Sequence, residues 1–200
     1  MRIPSIIKTI SIGCMIGALP ISTNRAFAQT EEIDDFVVVT APPEGTSEKD
    51  VLAGAPKPTV KIQGQMKTAK FVVDLSKNVL YKYNIQGKPE MAYMIASGKP
   101  STPTSKGVRV ITHTETYPYR TAPAHTKRRR NPSAYGPKII LLNKLDPNTG
   151  EKSDIGEFIH GNNNFDSLGR YASHGCIRMD NEVIKQLAAE AKRGDIVIIK

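Results

Sequence analysis

Tryptophan is absent from this 200-residue chain, aromatic side chains make up 6% of it, and there are two cysteines, Cys14 and Cys176. Neither a Cys-x2-Cys nor a His-Glu-x-x-His pattern occurs, which argues against a zinc centre. No repeat of 20–50 residues is visible. Outside the first 28 residues no apolar run is long enough to cross a bilayer. Acids are in short supply: 28 Lys+Arg face 19 Asp+Glu, a net charge of +9 that favours acidic partners. The composition is otherwise ordinary and excludes collagen-like, coiled-coil and wholly disordered classes. The length suits one globular domain with extensions.

Residues 1–28 read as an export signal. Arg2 and Lys8 form a basic start, 9–21 is mostly apolar, and Ala26-Phe27-Ala28 supplies a small–x–small cleavage pattern. The mature protein is expected outside the cytoplasm, with no stable membrane span. Cys14 departs with the signal, leaving Cys176 as a single thiol that can form no intramolecular disulfide. A lone cysteine is usually a small buried apolar residue, so its neighbours have to decide its role.

Charge divides the mature chain. Residues 29–66 carry seven acids against three lysines, with four prolines, and read as an acidic, flexible tether in which 36–39 could pair as a short strand. Residues 67–200 carry 22 basic and 12 acidic side chains, a net of +10, and form the expected folded domain. Its pattern is mostly β. Runs at 71–75 and 79–83 flank a Ser76-Lys77-Asn78 turn, and further strands are expected at 91–96, 107–112, 138–142 and 195–199. Residues 113–137 read as a long irregular segment containing Lys127-Arg128-Arg129-Arg130. One helix is well punctuated: Asp180 as N-cap, an apolar stripe of Val183, Ile184, Leu187, Ala188 and Ala191, Lys192 and Arg193 in the last turn, and Gly194 beyond it.

The chemistry is concentrated between Phe158 and Met179. Two histidines, His160 and His174, and Cys176 fall within seventeen positions, joined by Gly-rich polar connectors. A free thiol of pKa about 8.5 is only a few per cent thiolate at neutral pH. An imidazole and cationic neighbours that pulled it to about 6 would gain about thirtyfold in nucleophile. Either histidine can be the base. His174 is two residues from Cys176, a spacing that puts both on one face of extended chain, and His160 ends a strand-like run that can approach from a neighbouring strand. The N–H groups of Gly175 and Cys176 suit an oxyanion hole, where one donor is worth about 3–4 kcal/mol.

The Ser173-His174-Gly175-Cys176-Ile177-Arg178-Met179 run, with His160-Gly161 upstream, resembles the L,D-transpeptidase catalytic domain of bacterial cell-wall enzymes, the YkuD-type fold. Ala96-Ser97-Gly98, Thr102-Pro103-Thr104 before Gly107, Tyr135-Gly136-Pro137 and the 192–197 ending extend the similarity over roughly 68–200. The resemblance implies a mainly β domain, a mixed β-sheet sandwich with at least one packed helix near the C-terminus. It implies Cys176 as nucleophile, His160 as base and later acid oriented by the Gly161 carbonyl, and Gly175 and Cys176 as oxyanion donors. Ser173 and His174 would shape the pocket, and Arg178, Asn162 and Tyr135 are candidate substrate contacts. The family often reads His-Gly-Thr where this chain has His160-Gly161-Asn162.

The implied reaction is acyl transfer on peptidoglycan stem peptides with no cofactor. The thiolate takes the acyl group of a tetrapeptide, D-alanine leaves, and an amine of another stem or of a wall-anchored protein attacks the thioester. Attack by water would make the protein a carboxypeptidase, and sensitivity to carbapenems is expected. The competing readings are a zinc site built from His160, His174 and Cys176, and a non-enzymatic wall-binding protein. Export argues against nucleic acid as the partner of the 127–130 run. His113 and His125 read as surface residues, and Tyr117, Tyr119 and Tyr135 as either groove or packing residues.

Overall fold

The computed structural model describes residues 48–200; the signal segment, the possible 36–39 strand and the first part of the tether lie outside the described residues. The second part of the expected tether is ordered. Helix α1 (Glu48–Ala53) leads into an antiparallel hairpin of β1 (Thr59–Ile62) and β2 (Gln65–Thr68). Val51, Leu52, Ala55 and Val60 pack on a cluster built around Val72, Tyr81 and Ile198, and Ile62 joins Val108, Val110 and Leu145. The prolines and acids of 29–66 hide these few apolar residues from a composition argument. Burying them on the outer face of the sheet orders the segment.

The sheet strands follow as β3 (Phe71–Asp74), β4 (Val79–Tyr83), β5 (Pro89–Met94), the short β6 (Ser97–Gly98) and β7 (Gly107–Thr116). Then come a one-turn helix α2 (Lys127–Arg130), a 3-10 turn at Pro132–Tyr135, β8 (Lys138–Leu145) and β9 (Lys152–His160). A 3-10 turn at Phe165–Ser167, β10 (Tyr171–Ser173), β11 (Ile177–Arg178), α3 (Asn181–Glu190) and β12 (Ile196–Ile199) complete the chain.

Eight strands form one mixed sheet in the order β11-β9-β8-β7-β12-β3-β4-β5. The last strand inserts centrally, antiparallel to β7 and parallel to β3. That position explains its unbroken Ile196-Val197-Ile198-Ile199 sequence, because both faces of a central strand are covered. The sheet curls until its edges meet. Ala96, just beyond β5, exchanges both backbone hydrogen bonds with Arg178 of β11, at 2.9 and 2.8 Å. Residues from both ends of the sheet, Leu80 and Tyr93 with Ile140, Ile159 and Ile177, therefore share one core with Ile184, Leu187 and Ala188 of α3. This is the mainly β architecture with a packed C-terminal helix that the sequence led us to expect.

Asp180 caps α3 as expected, its Oδ1 accepting from the N–H groups of Glu182 at 2.7 Å and Val183 at 3.1 Å. The other end is corrected. The helix stops at Glu190, and Lys192 and Arg193 lie in a following turn, where the Lys192 N–H donates to Asp195 Oδ2 at 2.9 Å. Arg193 reaches back to the Thr112 carbonyl, also 2.9 Å. Tertiary hydrogen bonds outweigh the local helical preference there.

Candidate active site

Two parallel strands bring the motif residues together. Ile177 pairs with Ile159 and Arg178 with His160 across β11 and β9. Residues at one level of a sheet share a face, and residues two apart on a strand share it too. Ile159 and Ile177 enter the core, so His160 and Arg178 point the other way, with Phe158 beside them. On that side a chain of edge-on rings runs from Tyr119 through Tyr135 to Phe158, and the Tyr135 ring also lies 4.8 Å from that of His160.

His160 ends β9 and is 4% exposed. Its Nδ1 hydrogen-bonds the Gly161 carbonyl. A carbonyl can only accept, so Nδ1 carries the proton and Nε2 is the basic nitrogen. Burial holds the imidazole down at about 4; the bond to Gly161 opposes that shift and the Arg178 charge adds to it. The backbone around Gly161 is close-packed. A Cβ there would stand 2.3 Å from Asn181 Oδ1, and one on Gly136, at φ +66°, would stand 2.4 Å from the same oxygen. Asn181 Oδ1 instead accepts the Asn162 N–H at 2.9 Å. Tyr119, fully buried, donates its hydroxyl to the Gly136 carbonyl.

Cys176 sits on a tight loop between β10 and β11. The Ser173 hydroxyl donates to the Cys176 carbonyl at 2.5 Å, and its oxygen accepts the Gly175 N–H at 3.0 Å. Thr104 clamps the loop from outside, donating its hydroxyl to the Gly175 carbonyl at 2.8 Å and accepting the Gly98 N–H at 2.9 Å. Gly175 lies at φ +112°, a conformation that side chains rarely adopt. Of the two amides expected to serve as oxyanion donors, the Gly175 N–H is thus engaged within the loop.

The thiol differs from expectation. The sequence context favours a lowered pKa; instead burial pushes it up to about 11, with the Glu157 carboxylate adding to the shift. The Phe158 N–H, Arg178 and Lys127 pull the other way without cancelling it. Cationic neighbours are present, as the sequence suggested, but loss of hydration outweighs them. The resting pair is a neutral thiol and a neutral imidazole.

Two clefts meet at Cys176. One, about 560 Å³, is lined by His160 and Tyr135 together with Lys127, Arg130 and Arg178. The other, about 300 Å³, is lined by Pro103, Ser105, Lys144, Gly156 and Glu157. His174 stands exposed between them and lines both. Under the second cleft lies an ion pair that the sequence did not reveal. Arg109, fully buried on β7, binds Glu157 at 2.5 Å and the Ser105 carbonyl and hydroxyl at 2.7 and 2.6 Å.

The expected irregular segment between β7 and β8 is narrower than 113–137, since 113–116 continue β7 and 127–130 form α2. Arg128 is anchored there. It binds the buried Glu115 at 2.7 and 3.2 Å and lies over the Phe158 ring, 5.2 Å from its centre. Tyr135 faces the cleft, Tyr119 is packing, and Tyr117 is exposed. Asn162 is corrected as a substrate contact. It is 2% exposed, and its amide donates to the Met179 carbonyl at 2.8 Å and accepts the Asn164 N–H at 2.7 Å, so it ties the loop after β9 to the start of α3. Ser173 is likewise buried and serves the loop. Among the described residues, no three His, Cys, Asp or Glu side chains are grouped to hold a metal, and no helix is long and apolar enough to cross a membrane.

Bd1075 of Bdellovibrio bacteriovorus superposes with a TM-score of 0.51 at 21% identity, covering 73% of this chain and 53% of that one. A mutant Enterococcus faecium L,D-transpeptidase gives 0.48 at 24% identity, covering 67% of this chain and 50% of that one. An L,D-transpeptidase of Mycobacterium tuberculosis gives 0.48 at 19%, covering 65% and 56%. The chain thus matches about half the length of these structures. No curated protein sequence matches it. A sequence model of the YkuD family, the L,D-transpeptidase catalytic domain, matches residues 68–199. Spanning the whole curled sheet and both clefts, that match means the chain belongs to the L,D-transpeptidase catalytic domain family.

Proposed function

We propose that the protein is a cysteine acyltransferase acting on the tetrapeptide stems of peptidoglycan, with Cys176 as nucleophile and His160 as general base and acid. The observation that carries this reading is the shared cleft: the thiol and an imidazole whose Nδ1 proton is committed to the Gly161 carbonyl line the same cavity. Residues 1–28 read as an export signal, which would put the reaction outside the cytoplasm, where its substrate lies.

Because thiol and imidazole are both neutral at rest, the proton moves as the new bond forms. Cys176 Sγ attacks the amide carbonyl carbon while its proton passes to His160 Nε2. The developing oxyanion is met by the Cys176 N–H. The C–N bond then breaks, His160 returns the proton to the departing nitrogen, and D-alanine leaves a thioester. An incoming amine reverses these steps, and the thiol is restored. His174, between the clefts, shapes the entrance, and Arg178 supplies positive charge beside His160. Acylation by carbapenems follows from the same chemistry.

The test is purified protein incubated with tetrapeptide muropeptides and read by mass spectrometry. Release of D-alanine with a 3-3 cross-linked dimer supports transfer to a second stem, and release without a dimer identifies water as the acceptor. Attachment to a wall-anchored protein would show as a peptide-linked stem in digested native wall. Absence of D-alanine release contradicts the assignment.

A further inference from the structure

The basic run 127–130 is divided by helix geometry between two tasks. Residues three apart share a helical face. Lys127 and Arg130 both line the cleft beside His160, whereas Arg128 turns to Glu115 and Phe158 and fixes α2 against the sheet. With Arg178 they make three cations in one cavity, and no acidic residue lines it. Among the described residues none of the three has a carboxylate partner, whereas Arg109 and Arg128 each do. The second cleft holds a carboxylate, Glu157, and one lysine, Lys144.

The position of His160 decides which part of the substrate meets these cations. The imidazole must hand its proton to the nitrogen that leaves, so the leaving residue occupies the cleft on the His160 side. If that residue is an amino acid, its carboxylate is one carbon from the nitrogen and falls among the basic side chains. The incoming amine occupies the same place, because deacylation is the reverse of acylation. As the acyl–sulfur bond breaks and the new C–N bond forms, its proton passes through His160 to the thiolate.

We propose that Lys127, Arg130 and Arg178 form a carboxylate subsite that selects amines bearing an α-carboxylate, both as the residue released from the donor and as the acceptor. This rests on the acyl-transfer reading above and narrows it: the acceptor is the amino-acid end of a stem residue or a free amino acid, in preference to a lysine side chain of a protein. Hydrogen bonds to charged partners are worth about tenfold to a hundredfold.

The experiment compares two synthetic tetrapeptides, one ending in a carboxylate and the other in a carboxamide, and two acceptors, D-alanine and D-alaninamide. The ratio of kcat/KM is read within each protein, so a partly unfolded variant does not distort it. The wild type should prefer the carboxylate at least tenfold in both positions. The double variant Lys127→Gln/Arg130→Gln, which keeps Arg178, should cut that preference about fivefold or more. Arg129→Gln, on the same helix but outside the cleft, should keep the wild-type ratio. Equal use of both forms by the wild type, or an undiminished preference in the double variant, overturns the subsite while leaving acyl transfer intact. Turnover of neither peptide overturns the acyl-transfer reading itself.

Discussion

Tyr135 packs its ring 4.8 Å from that of His160, at an angle of 47°. The neighbouring Tyr119 holds that position by donating to the carbonyls of Tyr135, at 3.1 Å, and Gly136. Tyr135→Phe keeps the ring wall and should retain activity within about twofold. Tyr135→Ala lets the imidazole tilt, and small misplacements of a catalytic group are costly; a loss of about tenfold or more in kcat is expected from steady-state kinetics.

Two glycines separate backbone strain from steric crowding. Gly136 and Gly194 both lie at positive φ, +66° and +93°, but only at Gly136 would a Cβ meet atoms closer than 3 Å. Gly194→Ala should cost about 1 kcal/mol, the strain of the conformation alone. Gly136→Ala should cost about 3 kcal/mol or more, since Asn181, Gly161 and the Asn162 backbone must move. Chemical denaturation of both variants measures the difference, and Gly136→Ala should also lose activity.

Arg109 and Glu157 form a buried ion pair beneath the second cleft. Arg109→Met removes one partner and leaves a carboxylate in a low-dielectric site, a change worth about 3–5 kcal/mol. Arg109→Met/Glu157→Gln leaves no uncompensated charge and should recover most of that loss. A double-mutant cycle in urea tests the coupling.

His160 is held neutral by burial, at about 4, below its value in the unfolded chain. The unfolded state therefore binds more protons between about pH 6.5 and 4, and the native state loses stability as pH falls through that window. His160→Gln should flatten this part of the stability curve. Cys176 behaves oppositely. Its thiol is raised to about 11, so the unfolded chain ionises first and stability falls as pH rises above about 9. Alkylation of Cys176 by iodoacetamide should accordingly show an apparent pKa well above 9. A thiolate already dominant at pH 7 would contradict a neutral resting pair.

The grouping of Cys176 with His160 in one cleft and the sheet-forming runs were legible because their signals are local: a dense polar motif, and strings of Val, Ile and Leu. Arg109 was not. Inside Gly107-Val108-Arg109-Val110-Ile111 it reads as the polar member of an alternating strand, and only the β7-β8-β9 pairing brings it to Glu157, 48 residues away. Asn162 looked like a site residue because it follows His160-Gly161, yet its amide is spent on Met179 and Asn164. The direction of the thiol shift is hidden from the sequence, because cationic neighbours are visible there and desolvation is not. The division of labour within 127–130 likewise needed the helix and its Glu115 anchor.

The central claim is that Cys176 takes an acyl group from an amide with His160 as its base. Intact-mass measurement after incubation with a carbapenem tests it most directly. The wild type should gain one covalent adduct located at Cys176, His160→Ala should gain it at least a hundredfold more slowly, and Cys176→Ala should gain none. An unmodified wild type, or an adduct that persists in Cys176→Ala, would contradict the account.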